Sequence, residues 1–189
     1  MINLLLLIMI IGLSGTLSAG KDTVAEYLVN QKGFDHVSLS EILRGIARQR
    51  NIEPNMVNLT KLGNSLIKTH GDGYLIDKAS EKVNFDRDLV VSSIRQPAEI
   101  DKIKNYPNSY VVFVDADAKI RFERLRARGR TGDSETLEEF IELECKQSDG
   151  KSGGMNLNEC KRKSDFVLEN NGTKEEFLTR IENLFNKIV

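Results

Sequence analysis

Two rhythms of hydrophobic and polar positions alternate along the chain. Continuous apolar runs rich in β-branched residues predict strands at Leu4–Leu13, Phe34–Val37, Leu89–Ile94, Tyr110–Val114 and Asp165–Leu168. Between them apolar positions recur at helical spacing. Val24, Ala25, Leu28 and Val29 form one stripe directly after the first run, and further helical stretches cover Ser40–Arg50, Asn55–Thr69, Tyr74–Val83, Ala98–Ile103, Asp117–Arg128 and Thr136–Lys146. Ser38 with Glu41, and Thr173 with Glu176, have the spacing of capping boxes; the second opens a last helix with Phe177, Ile181, Leu184 and Ile188 as its packing seam. Strand and helix in alternation predict an α/β fold, a five-stranded parallel sheet with helices on both faces.

The first apolar run needs separate treatment because it is N-terminal. It lacks a basic leading segment, and about ten apolar residues before Gly12 are too few to span a bilayer, so a buried central strand accounts for it without a membrane. Met1 and Met9 both remain open as the natural start. With 189 residues, 40% of them hydrophobic, the chain suits one domain over 1–189. Its 27 basic and 28 acidic side chains give a net charge of −1, which argues against binding duplex nucleic acid, so any positive field is local. Cys145 and Cys160 form no CxxC pair, and His36 and His70 lie far from both, so neither a disulfide framework nor a four-ligand zinc site is expected.

The chemistry concentrates after the first strand. Gly15-Thr16-Leu17-Ser18-Ala19-Gly20-Lys21-Asp22-Thr23 matches GxxxxGK between a strand and an amphipathic helix. Glycines allow successive backbone N–H groups to face phosphate oxygens, the helix N-terminus adds partial positive charge, and a lysine at this position reaches the terminal phosphates. The expected ligands are ATP and Mg²⁺, with Gly15, Ser18, Ala19, Gly20, Lys21, Asp22 and Thr23 as the nucleotide-binding set. Asp22 stands where a Mg²⁺-ligating hydroxyl is usual; a carboxylate also ligates Mg²⁺, but brings negative charge near the triphosphate. Thr23 is a poor geometric substitute.

On these residues the chain resembles, over nearly its whole length, the nucleoside monophosphate kinases of the P-loop NTPase group, adenylate kinases included, and is similar also to dephospho-CoA kinases. The spelling Gly-Lys-Asp-Thr resembles that of phage deoxynucleoside monophosphate kinases, which implies such an activity. The resemblance implies a three-layer P-loop fold with an acceptor-binding helical region over about 39–86 and a lid over about 129–163. It implies that Ser40, Arg44 and Arg95 hold the acceptor phosphate, and that Arg124 and Arg128, among Arg121, Arg124, Arg126, Arg128 and Arg130, act with Lys21 and Arg95 in catalysis. Lys151, between glycines, is a weaker phosphate candidate. The segment Asp165–Thr173 resembles the loop that packs around adenine, which assigns Asn171 and Gly172 to the cofactor.

Two departures stand out. The acid expected at the end of the third strand is replaced by Ser92 or Ser93, and together with Asp22 this suggests that hydroxyl and carboxylate have exchanged places around Mg²⁺, with Asp22 and Ser92 as the metal ligands. The acidic pair usual after the second strand of dephospho-CoA kinases is replaced by Ser38-Leu39-Ser40. The leading expectation is therefore a cytoplasmic kinase, monomer or homodimer, acting on a (deoxy)nucleoside monophosphate. A dephospho-CoA kinase and a non-kinase ATP-binding or regulatory ATPase stay as rivals. A dinucleotide oxidoreductase does not, because GxGxxG is absent.

Overall fold

A parallel strand covered on both faces must be apolar throughout, and such runs form the centre of the molecule. The computed structural model describes residues 8–83, 86–129, 134–148 and 155–189. The strands are β1 (Ile10–Gly15), β2 (Asp35–Ser38), β3 (Leu89–Ile94), β4 (Ser109–Asp115) and β5 (Phe166–Glu169). All pair in parallel, in the order β2-β3-β1-β4-β5. The helices are α1 (Lys21–Lys32), α2 (Leu39–Gln49), α3 (Met56–His70), α4 (Tyr74–Ser80), α5 (Pro97–Lys104), α6 (Ala118–Arg128), α7 (Leu137–Ser148), α8 (Leu157–Lys163) and α9 (Lys174–Ile188).

Alternation along each strand divides the core. Ile11, Leu13, Val90, Val112 and Val114 pack under α1 and α9 through Val24, Leu28, Phe177 and Ile181. Ile10, Leu89, Val91, Val111 and Phe113 pack under α2, α4, α5 and α8 through Ile42, Ile76, Ile100, Ile103, Leu157 and Cys160. A third cluster, Leu43, Ala47, Leu62 and Leu66, joins α2 to α3 away from the sheet. The helices after β1 and β3 thus lie on opposite faces, and the loops following these neighbouring strands diverge to leave a crevice at their C-terminal ends.

Several expectations change in detail. β1 begins at Ile10 and runs on to Gly15, and Leu4–Leu7 lie outside the described residues. Ser38 precedes α2 but makes no capping bond: its hydroxyl is 3.0 Å from that of Ser40, and Glu41 pairs instead with Arg44 and Arg48. Thr173 and Glu176 do form their box, and Gln96 with Glu99 forms one that the hydrophobic pattern did not announce. Within the span expected as a lid, 129–163, α8 has Leu157 and Cys160 buried against the sheet, and residues 130–133 and 149–154 lie outside the described residues. Burial pushes the Cys160 thiol up to about 12, so it behaves as a small apolar side chain. Among the described residues no helix is long and apolar enough to cross a membrane.

Candidate functional site

The crevice between β1 and β3 opens into a cleft of about 600 Å³ that continues between α2, α3 and α4. Its floor is the glycine loop. Gly15 at φ 141° and Gly20 at φ 107° hold backbone that L side chains rarely adopt, and a Cβ at either would come within 3.0 Å of Val114 or Asn170 respectively. Ser18 also has positive φ, at 60°. The loop wraps so tightly that Lys21 Nζ donates back to the carbonyls of Gly15 (2.9 Å) and Thr16 (2.5 Å). Burial, and then the positive charge of Arg95, pull the Lys21 ammonium down to about 7.

Four further hydrogen bonds fix the loop and its surroundings. The Thr16 hydroxyl donates to Asp115 at the end of β4 (2.8 Å), and Lys161 of α8 donates to the other oxygen of that carboxylate (2.7 Å). Asn170 is buried just beyond β5; its Nδ2 donates to the Ala19 carbonyl (2.8 Å) and its Oδ1 accepts from Nη2 of Arg124 (3.2 Å). Among the described residues, Nη1 of Arg124 is the buried side-chain nitrogen or oxygen that has no hydrogen-bond partner. It lies on a residue lining the cleft, and a buried donor without an acceptor costs about 1–3 kcal/mol.

On the other side of the crevice the pairing between β1 and β3 shifts register after Leu13, and Ser93 bulges out at φ 66°. The bulge brings Ser93, not Ser92, to the cleft, with its hydroxyl 3.3 Å from that of Ser40. Ser92, expected as a metal ligand, lies outside the lining and shares a 2.8 Å hydrogen bond with His36 Nε2, on the face where α1 packs. Arg95 follows the bulge, and burial holds its guanidinium below the ordinary range. Glu99 Oε2 accepts from the backbone N–H of both Arg95 (2.8 Å) and Gln96 (3.0 Å), and burial drives its carboxyl up to about 7. Arg44 is tied at the cleft wall by Glu41 (3.3 Å) and the Pro54 carbonyl (3.0 Å).

The structure therefore brings Gly15, Ser18, Gly20, Lys21, Asp22, Thr23, Ser40, Arg44, Arg95, Arg124 and Arg128 to one cleft. Ala19 is buried beneath it. Asn171 and Gly172 are exposed and outside the lining; Asn171 Oδ1 accepts from the Asp117 backbone N–H (2.8 Å). Arg121 is buried, ion-paired to Glu144 of α7 and hydrogen-bonded to the Ala116 carbonyl (2.6 Å), so it is an anchor between helices rather than part of an exposed arginine face. Arg126 is exposed outside the lining, and Arg130 and Lys151 lie outside the described residues. Asn170 and Glu99 are the participants the sequence reading missed. Both left a signal: Asn170 continues the period-two alternation from buried Leu168, and Gln96-Pro97-Ala98-Glu99 has the form of a helix start.

A family model described as an AAA domain matches residues 11–147. The chain belongs to this family. The UPF0200 protein PH1008 of Pyrococcus horikoshii is 30% identical over 188 residues, 96% of this chain and 98% of the relative. A UPF0200 protein of Hyperthermus butylicus is 29% identical over 185 residues, covering 97% and 95% of the two chains. Among solved structures, shikimate kinase from Bacteroides thetaiotaomicron superposes with a TM-score of 0.63 at 11% identity, covering 95% of this chain and 98% of the other. Dephospho-CoA kinase from Campylobacter jejuni gives 0.56 at 16%, covering 95% and 96%. At such identities the likeness concerns the fold, a P-loop kinase-type sheet with helices on both faces.

A triphosphate fits this site by its donors: the loop, the N-terminus of α1, Lys21, and the unpartnered Nη1 of Arg124 all call for anionic oxygens. Among the described residues no three His, Cys, Asp or Glu side chains gather into a metal cage. Asp22, exposed at the cleft, presents a single hard oxygen donor beside the loop, the kind of set that holds Mg²⁺ together with phosphate oxygens and water.

Proposed function

We propose that the protein transfers the γ-phosphoryl group of ATP to a nucleoside monophosphate. The observation that carries this reading is the convergence of Lys21, Arg95 and Arg124, from three separate parts of the chain, on one cleft that starts at the loop and the N-terminus of α1, with Arg124 Nη1 still lacking an acceptor. ATP would lie with its phosphates along residues 15–20. Lys21, its charge suppressed by burial, exchanges the Gly15 and Thr16 carbonyls for phosphate oxygens, which favour its protonated form. Arg44 and Arg95 hold the anionic end of the acceptor. An acceptor phosphate oxygen forms the new bond to the γ-phosphorus as the bond to the β-phosphate oxygen breaks, leaving ADP and a nucleoside diphosphate. A phosphate nucleophile needs no general base at neutral pH, so positioning and charge stabilisation are what the residues must supply. Mg²⁺ held through Asp22 would neutralise charge on the β and γ oxygens.

The test is ADP release with each ribo- and deoxynucleoside monophosphate and with dephospho-CoA. Turnover is expected with at least one nucleoside monophosphate, and Lys21→Ala should lower kcat/KM by about 10²–10³. Equal rates for wild type and Lys21→Ala would overturn the assignment. Turnover with dephospho-CoA alone would move the acceptor to that class, and ATP binding without any phosphorylated product would select a non-kinase ATPase.

A further inference from the structure

The arm of the cleft between α2, α3 and α4 contains a glycine that the fold itself does not call for. Gly63 is midway along α3. Glycine is among the poorest helix formers, so a helix-interior glycine normally answers to a special backbone angle or a close approach. Neither applies at Gly63. Its φ lies outside the left-handed range, and a Cβ there would meet only Leu43 Cδ2, at 3.7 Å, an ordinary contact. The contrast within the same molecule is direct: a Cβ would stand 2.8 Å from Ile94 at Gly12, 2.1 Å from the Val114 carbonyl at Gly15 and 2.5 Å from Asn170 at Gly20.

What Gly63 does border is the cleft. It shares one helical face with Met56, Thr60 and Ile67, which line the arm, and Leu43 and Leu75 line it from α2 and α4. The arm mixes apolar side chains with Asn55, Thr60, Asn64 and Asp72, and its inner end carries Arg44 and Arg95. We infer that Gly63 is a specificity-determining position: α3 omits a side chain there to keep a slot open for the ring system of an acceptor whose anionic group rests at Arg44 and Arg95. The inference rests on the kinase reading for the identity of the acceptor, but the slot itself can be probed without turnover.

Gly63→Ala, Gly63→Leu and the comparator Gly45→Ala separate the alternatives. Gly45 is also a helix glycine, on α2, where a Cβ would meet only Lys82 Nζ at 3.8 Å, and it lies outside the cleft lining. Both alanine variants should melt roughly 2–4 °C above wild type, through helix propensity alone. Gly63→Leu should raise KM for the nucleoside monophosphate that is turned over by about tenfold or more, with KM for ATP changed less than about twofold. The same variant should weaken binding of 8-anilinonaphthalene-1-sulfonate, an anion with a flat aromatic body, by a similar factor, and Gly45→Ala should change neither. Unchanged acceptor KM and unchanged sulfonate affinity in Gly63→Leu would overturn the inference. If Gly63→Leu fails to fold, Gly63→Ala decides: a higher Tm with both affinities unaltered overturns it, and a higher Tm with both weakened supports it. If the wild type phosphorylates no nucleoside monophosphate, the kinase reading falls, and the sulfonate titration still decides whether Gly63 keeps the slot open.

Discussion

The two ends of the cleft are built by opposite means. At the loop, polar groups are tied to specific partners, Lys21 to two backbone carbonyls, Thr16 to Asp115 and Asn170 to Ala19 and Arg124, while Nη1 of Arg124 has none. In the arm between α2, α3 and α4, packing among Leu43, Ala47, Leu62 and Leu66 sets the distance between α2 and α3, and what is offered to a ligand is a volume with cations at one end. Phosphate oxygens need donors at fixed distances and directions, whereas a ring system needs a slot of the right width. The first requirement selects residue types at a strict spacing. The second can be met by many combinations of apolar side chains.

The largest effects should come from the arginines, and they should differ between the two ends. If the proposed reading holds, Arg124→Met removes the cleft-lining guanidinium whose Nη1 lacks a partner, so kcat should fall by about 10²–10³ while the acceptor KM stays within a few-fold. Arg95→Met should act first on the acceptor, raising its KM by about tenfold or more and leaving KM for ATP nearly unchanged. Steady-state kinetics with both substrates varied would check this. If both variants show the same pattern, the division of labour between the loop side and the arm is wrong.

The same contrast decides how much was legible in the sequence. Apolar runs locate all five strands because a parallel sheet covered on both faces leaves little room for polar residues, and GxxxxGK locates the loop because its geometry admits few alternatives. Spacing does not reveal the place of Arg121: it falls on one helix face with Arg124 and Arg128, yet it is buried and paired with Glu144 of α7, 23 residues on. Between Asn170 and Asn171 the choice follows strand parity from Leu168, a signal legible in the sequence. The bulge that exchanges Ser93 for Ser92 has no local signature, since it arises from the shifted pairing of β1 with β3. The width of the arm is likewise unreadable along the chain, because it depends on how three helices meet.

A smaller effect should appear in stability against pH. Glu99 is pushed up to about 7 from 4.5 by burial, with the backbone N–H groups of Arg95 and Gln96, the Arg95 charge and Asp72 as its electrostatic surroundings. Between pH 4.5 and 7 the folded chain therefore keeps a proton that the unfolded chain has released. Its contribution to stability is present below pH 4.5 and is lost as pH rises through 7, on the order of 2 kcal/mol between pH 5 and pH 7. Glu99→Gln, measured by urea unfolding at those two values, should lack this loss. A variant with the same pH slope as wild type would show that Glu99 ionises normally.

The smallest effect, and the sharpest comparison, belongs to Asn170. Asn170→Ala leaves the buried Ala19 carbonyl without its donor and frees Nη2 of Arg124, so stability should fall by about 1 kcal/mol. For a chain of this length that is roughly 2–4 °C in Tm. Because the same side chain bonds both the loop and Nη2 of Arg124, kcat should fall in the same variant, several-fold and well short of the loss in Arg124→Met. Gly63→Leu should do the reverse, impairing acceptor binding with no loss of stability from the loop. Stability and turnover are thus coupled where hydrogen bonds build the site and separable where open space does. An Asn170→Ala chain that melts lower but turns over at the wild-type rate would break that rule, and would reduce Asn170 to a packing residue beneath the loop.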